Sequence, residues 1–249
     1  MHSLRIAILS DLHIAGQDEF PYGVDTRANF LSALDLVVKD QPDLIVLGGD
    51  QCHRVGDKEV YIWIKKQLEK CGIPLQVISG NHDDSLVLRE IFHPEKTMHE
   101  DEFYYTENIK GREFIFCDSS KGILSEHQWN WLKNSIENVQ KEAFIFIHHP
   151  PLYCGVPYMD KHHAFQQMEK MGRLIGSLDK NLFFFCGHYH CEKTVIRENS
   201  LVFISPSTFF NLNDRNAEFE IQNNLPSFRR LIIEEGKIES SVFYNLQSN

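Results

Sequence analysis

Aspartate and histidine recur along this chain in tight clusters. Asp11-Leu12-His13, Gly49-Asp50, Gly80-Asn81-His82-Asp83, His148-His149 and Gly187-His188-Tyr189-His190 each follow an apolar run. Carboxylate, carboxamide and imidazole donors together suit Zn, Fe, Mn or Co, whereas Ca takes oxygen throughout. Asp11, His13, Asp50, Asn81, His148, His188 and His190, with His149 beside them, make seven or eight donors. That is too many for one tetrahedral ion and suits two ions sharing a bridge, for which Asp50, the only carboxylate at the central strand end, is the expected group. Two ions ~3.5–4 Å apart can hold both oxygens of a phosphate ester, generate hydroxide near neutral pH and stabilise an in-line displacement. His82 is then left to donate to a phosphate oxygen or to protonate the leaving group, a role worth roughly 10²–10⁴ in rate.

Taken singly, each cluster has an ordinary alternative. Asp11 could cap a turn, His148 could be a hydrogen-bonded core histidine, and Gly48-Gly49-Asp50 or Gly80-Asn81 could be turns that use left-handed backbone. Together, at the same ends of five apolar runs, they favour one dinuclear site. In extended backbone the outer residues of Asp11-Leu12-His13 and His188-Tyr189-His190 would point the same way, being two apart.

The elements that must position these groups are legible from periodicity. Leu4–Leu9, Leu44–Leu47 and the run Leu75, Val77, Ile78 read as strands. A helix from Thr26 to about Lys39, with Phe30, Leu31, Leu34, Val37 and Val38 apolar, and another from about Lys58 to Cys71 separate them. This alternation predicts parallel pairing with right-handed crossovers. By strand order alone it suggests a three-layer α/β domain. Further on, Phe103–Thr106 and Glu113–Cys117 read as paired strands around Lys110-Gly111, and Ser125 as the cap of a helix to about Val139 with Trp129, Leu132 and Ile136 buried. Ala143–Ile147 and Leu182–Cys186 read as strands, His163–Leu178 as a helix, and Leu201–Ile204, Phe228–Ile233 and Ile238–Tyr244 as strands, the last two a hairpin at Glu235-Gly236-Lys237. Asp83 is expected to cap the helix after it, or else to orient a metal ligand from behind.

Composition sets the outer bounds. The 249 residues, 42% hydrophobic and 24% charged, suit a globular chain, and the absence of a linker or repeat favours one domain over 1–249. Thirty-five acids against 25 bases disfavour a nucleic-acid partner, which would call for a basic face. No stretch approaches the ~18 apolar residues of a membrane span, and the N-terminal run is too short for a signal sequence. Six cysteines without a Cys-x2-Cys pair predict reduced thiols and a cytoplasmic location.

In order, Asp11-Leu12-His13, Gly49-Asp50, Gly80-Asn81-His82-Asp83, His148 and Gly187-His188-Tyr189-His190 resemble the motif series of the calcineurin-like metallophosphoesterase superfamily. The resemblance implies a four-layer α/β/β/α sandwich of two mixed sheets. It implies one ion held by Asp11, His13, Asp50 and His190 and another by Asp50, Asn81, His148 and His188. It makes His149 a neighbour of the site, although sequence leaves a swap with His148 open. His148-His149-Pro150-Pro151, Tyr158-Met159-Asp160, Ser205-Pro206-Ser207-Thr208 and the terminal hairpin look most like class III cyclic nucleotide phosphodiesterases and related glycerophosphodiesterases. In these, a segment matching 150–180 overhangs the site as part of a cap.

Substrate contacts are expected from Asn81, His82, His149, His162 and His163, and from Cys52 or His53, since Gln51-Cys52 departs from the pair common after the bridging Asp. Arg54 falls where protein Ser/Thr phosphatases carry a phosphate-binding Arg, but Val55 breaks that pattern and a surface arginine is the expectation. The expected activity is hydrolysis of a small phosphodiester, such as a 3′,5′-cyclic nucleotide, with metal-bound hydroxide as nucleophile. The rival readings are a phosphomonoesterase or phosphoprotein phosphatase on the same site, a nuclease, and a scaffold without chemistry, which would have lost ligands. A homodimer is left open.

Overall fold

The computed structural model describes residues 3–246; Met1, His2 and 247–249, the ends of the expected domain, lie outside the described residues. Strands Leu4–Leu9 (β1), Leu44–Leu47 (β2) and Leu75–Val77 (β3) pair in parallel, joined by helices Thr26–Asp40 (α1) and Lys58–Glu69 (α2). Asp25 and Asp57 cap the two helices by accepting backbone N–H groups, and α1 stops where Gln41 turns left-handed ahead of Pro42. The buried stripe of α1 is Phe30, Ala33, Leu34 and Val37, while Leu31 and Val38 face outward.

A third helix, Ser85–Phe92 (α3), is capped by Asp84, whose carboxylate accepts from the N–H groups of Leu86 and Val87. Asp83 is therefore not the cap. It sits one residue early, in the turn closed by its own N–H on the Gly80 carbonyl, and its carboxylate points inward.

The second half builds its own sheet. Tyr105–Ile109 (β4) and Arg112–Phe116 (β5) form a hairpin at Lys110-Gly111, followed by Glu126–Asn138 (α4), Glu142–Phe146 (β6), Pro157–His162 (α5), Met168–Gly176 (α6), Asn181–Cys186 (β7), Lys193–Arg197 (β8) and Ser200–Ile204 (β9). The hairpin strand starts two residues later than its sequence suggests, because the Phe103 N–H donates to the buried Asp118 carboxylate. The helix expected over 163–178 forms only over Met168–Gly176; a separate short helix precedes it, started by Pro157, preset for a first helical turn, and ended where His163 leaves helical geometry. Short strands Asn211–Leu212 (β10) and Ile221–Asn223 (β11) and the long hairpin Ser227–Glu234 (β12) and Lys237–Tyr244 (β13) complete the chain.

Two mixed sheets result, β13-β12-β1-β2-β3 and β4-β5-β6-β7-β9-β8. Alternation in the second sheet decides how they stack. Phe114, Phe116, Phe144, Phe146, Phe183, Phe185 and Phe203 join the core of the first sheet, whereas Ile115, Ile145, Leu182, Phe184, Val202 and Ile204 pack with Trp129, Leu132 and Ile136 of α4 and Met171 and Ile175 of α6. Helices α1, α2 and α3 cover the other face of the first sheet. The layers are α/β/β/α, not the three that strand order alone suggests, because the later strands form a second sheet instead of extending the first. Among the described residues no helix is long and apolar enough to cross a membrane.

Candidate metal centre

All five sequence clusters reach one place. Asp11, His13 and His190 bring ligand atoms within 4.8 Å of one another, as do Asp50, His148 and His188, and a third group of His13, Asp50 and His82 links the two. Most of these side chains are buried: Asp11, His13, Asp50, His148, His188 and His190 are each less than a tenth exposed.

The backbone that delivers them is not extended. Asp11, His13, Asp50, His188 and His190 all have φ between 43° and 66°, the left-handed region that side chains other than glycine enter at a cost. Asp11 and His13 therefore reach one ligand group through two left-handed residues and not through strand alternation; His188 and His190 are left-handed too and serve different groups. Main-chain bonds hold the tips in this state: the N–H groups of Asp11 and His13 donate to the carbonyls of Gly49 and Asp50, Gly187 N–H to His148, and Leu212 N–H to His190. Glycine is required where tips cross. A Cβ on Gly80 would strike Asp50, and one on Gly187 would strike Ser10 and Asp11.

Hydrogen bonds from behind fix which imidazole nitrogen faces the site. His148 Nδ1 lies 2.8 Å from the Gly48 carbonyl and His190 Nδ1 3.0 Å from the Phe210 carbonyl, so each must donate there and present Nε2. His188 does the reverse, with Nε2 2.9 Å from the His163 carbonyl, leaving Nδ1. His82 Nδ1 is 3.1 Å from the Arg54 carbonyl. Asp50 is held by the His82 N–H at 2.8 Å, and Asp11 by the His188 N–H and the Ser10 hydroxyl.

The electrostatics fit a cation socket. Burial would raise the Asp11 carboxyl, but His190 and His148 hold it at about 2, and Asp50 likewise lies well below its usual range despite burial, chiefly through His148 and His13. Burial would lower His148, yet Asp50, Asp11 and the Gly48 carbonyl raise it to about 10. His13 and His188 are pushed by burial to about 3, so both are neutral with a lone pair to give. Two details mark where ions fit. His13 Nε2 and His190 Nε2 converge to 3.0 Å, and the buried His148 Nε2 has no hydrogen-bond partner although Asp50 Oδ2 is 3.3 Å away. The donors present thus suit two ions with Asp50 between them.

Of the remaining candidates, Asn81, His82, His53 and His163 line a cavity of about 360 Å³ over this centre, together with Tyr22, Tyr158, Met159, Phe209, Phe210, Leu212 and Phe219. Cys52 does not line it. The Cys52 sulfur accepts the Asp57 N–H at the start of α2, and burial pushes the thiol well up, which makes it structural. His149 is buried behind the centre, its Nδ1 3.0 Å from the Ser119 hydroxyl and its ring 4.1 Å from that of His188. His162 is exposed at the end of α5 and stands outside the cavity lining, its ring tilted against that of Tyr158. Arg54 is exposed, as a surface arginine should be.

Asp83 accepts from the N–H groups of Gln51 and Gly80 and from the Tyr61 hydroxyl, bracing the loop tips that carry Asp50 and Asn81. Burial and the charge of Asp50 raise its carboxyl to about 7. Sequence reasoning missed Tyr22, Phe209, Phe210 and Phe219, because single aromatics in loops carry no periodic signal.

The comparisons agree with this geometry. A protein of Fibrobacter succinogenes named "Probable cyclic nucleotide phosphodiesterase" is 29% identical over 242 residues, covering 97% of this chain and 94% of that one. A protein of Arcobacter nitrofigilis named "Probable glycerophosphodiester phosphodiesterase GpdQ" is 28% identical, covering 86% and 84%. The solved structure of GAP50, the anchor in the inner membrane complex of Plasmodium, superposes with a TM-score of 0.67 at 14% identity, covering 99% of this chain and 86% of that one, which speaks to the fold alone. Residues 4–192 match the calcineurin-like phosphoesterase pattern, and the chain belongs to that family.

Proposed function

We propose that this protein is a metal-dependent phosphodiesterase acting on a small diester. The observation that carries the reading is the convergence of Asp11, His13, Asp50, His148, His188 and His190 into linked ligand groups, of which His13, Asp50, His188 and His190 line one cavity. Asp11, His13, Asp50 and His190 would hold one ion and Asp50, Asn81, His148 and His188 the other. Mn, Fe, Zn or Co suits the donor set. Ions bound there supply Lewis acidity and activate water for in-line displacement at phosphorus.

The rest falls to the chain. His82, fixed by its Nδ1 on the Arg54 carbonyl, presents Nε2 towards the cavity, where it donates to a phosphate oxygen or to the leaving group. The same position would let His82 act as a ligand, so metal content separates the two roles. Among the described residues no lysine or arginine lines the cavity, which suits a singly charged diester better than a doubly charged monoester. Residues 150–180 serve as a cap, since Tyr158, Met159 and His163 reach the lining from that segment. The cytoplasm suits six cysteines that stand as free thiols.

The names of the relatives, cyclic nucleotide phosphodiesterase and glycerophosphodiester phosphodiesterase, agree in the diester and differ in what it joins. The test is hydrolysis of bis(p-nitrophenyl) phosphate by protein loaded with Mn, Fe, Co or Zn. Turnover that chelation abolishes is the expected result. No turnover with any of the four, or a preference for p-nitrophenyl phosphate by orders of magnitude, would overturn the reading.

A further inference from the structure

One wall of the cavity is aromatic, and part of it is exposed. Phe209 and Phe210 line it from largely buried positions, and Tyr22 is 64% and Phe219 42% exposed. Neither position is a by-product of packing. Tyr22 stands at φ 52° between Pro21 and Gly23, a conformation an aromatic residue adopts only at a cost. Phe219 is carried by the loop between β10 and β11, which is braced from within: Asn213 Nδ2 and Asn216 Nδ2 both donate to Glu220 Oε2 at 2.8 Å, and the Asn213 N–H donates to the Glu220 carbonyl. The loop thus presents the ring at a fixed place.

The rings form a continuous path from the metal centre to the rim. Phe210 lies 4.9 Å from His190, Tyr22 5.2 Å from Phe210 at 71°, Phe219 6.0 Å from Phe210 at 88°, and Tyr158 5.8 Å from Phe219 across the cavity. The three contacts among Tyr22, Phe210, Phe219 and Tyr158 are edge-to-face and the one to His190 is tilted, an arrangement that leaves ring faces for a guest. Among the described residues no lysine or arginine lines the cavity, so this wall carries no fixed cation for a second phosphate. It offers π-faces to a flat group bonded to a phosphate at the floor.

We propose that Tyr22, Phe210 and Phe219 form a subsite for the heteroaromatic base of a nucleotide phosphoester and set the preference for nucleotide over base-free diesters. This rests on the phosphodiesterase reading above, and it names the part of the substrate that reading leaves open.

The test has a metal-free arm and a loaded arm. Adenosine, which has no phosphate, is titrated into metal-free protein and followed by saturation-transfer NMR. Wild-type protein binds it, Tyr22→Ala and Phe219→Ala weaken binding roughly tenfold, as loss of a base–aromatic stack does, and Phe219→Trp restores it. In the Mn-loaded protein the ratio of kcat/KM for adenosine 3′,5′-cyclic monophosphate to that for glycerophosphoethanolamine falls roughly tenfold in the alanine variants, and the change is in KM. No binding of adenosine, variants that bind like wild type, or equal losses on both diesters would overturn the proposal. If loaded protein cleaves neither diester while adenosine binding still follows the rings, the phosphodiesterase reading fails and the base subsite stands.

Discussion

Replacing Gly80 by alanine perturbs the centre without removing any donor. A Cβ built there lies 2.8 Å from Asp50 Cγ and closer still to the carboxylate and to the Asp50 N–H. Ordinary contact between such atoms begins near ~3.5 Å, so Asp50 must retreat by something approaching 1 Å. Asp50 is buried and tied to the His82 N–H, so it cannot swing into solvent. Overpacking of this kind costs about 1–3 kcal/mol of stability, and a misplacement near 1 Å in a reacting site costs on the order of 10² in rate. The assay pairs urea unfolding with metal-dependent hydrolysis of bis(p-nitrophenyl) phosphate. A control is Gly172→Ala in α6, where the nearest atom to a new Cβ is Leu152 Cδ2 at 3.9 Å. There alanine should stabilise by about 0.5–1 kcal/mol and leave the rate alone. Full activity and unchanged stability in Gly80→Ala would refute the tight crossing of the Gly80 and Asp50 loop tips.

Two further outcomes follow from named contacts. His82→Ala should lower kcat by roughly 10²–10⁴, or about 3–5 kcal/mol, with metal content by mass spectrometry unchanged; one ion fewer would make His82 a ligand. His93, buried against Tyr105 with Nδ1 3.2 Å from Glu95, is pushed below its ordinary value by burial, only partly offset by Glu95. The unfolded chain therefore binds a proton near pH 6.5 that the folded chain refuses, so stability holds above that pH and falls as pH drops below it towards the folded value. Urea midpoints between pH 5 and 7.5 should show a shallower acid slope in His93→Gln than in wild type, and parallel slopes would refute the assignment.

Much of the site was legible because its chemistry is local: a polar tip must follow an apolar strand, and parallel strands bring their tips to one edge. Asp11, Asp50, His148 and His190 stand out in sequence for this reason. How the tips turn was not legible. The left-handed backbone at Asp11, His13, His188 and His190 is imposed by hydrogen bonds between tips remote in sequence, such as Asp11 N–H to Gly49 and Leu212 N–H to His190. The same holds for the roles of Asp83 and Cys52. Asp83 and Asp84 both look like caps in one dimension, and only the inward path of the Gly80 turn separates them. Cys52 follows the bridging Asp in sequence, yet its sulfur is captured by the Asp57 N–H. The second sheet's independence from the first depends on which face its phenylalanines choose, a tertiary matter that the apolar runs of β6 and β7 leave open. The aromatic wall escaped for a similar reason, since Tyr22 and Phe219 meet across nearly the whole chain.

The proposed centre has two ions sharing Asp50. Metal content per chain after Mn loading and gel filtration, compared between wild type and Asp50→Ala, tests it most directly. Roughly two ions are expected in the wild type and loss of both in the variant, because Asp50 belongs to two of the three ligand groups and is the carboxylate proposed to lie between the ions. An Asp50→Ala protein that is folded and still carries two ions would contradict it.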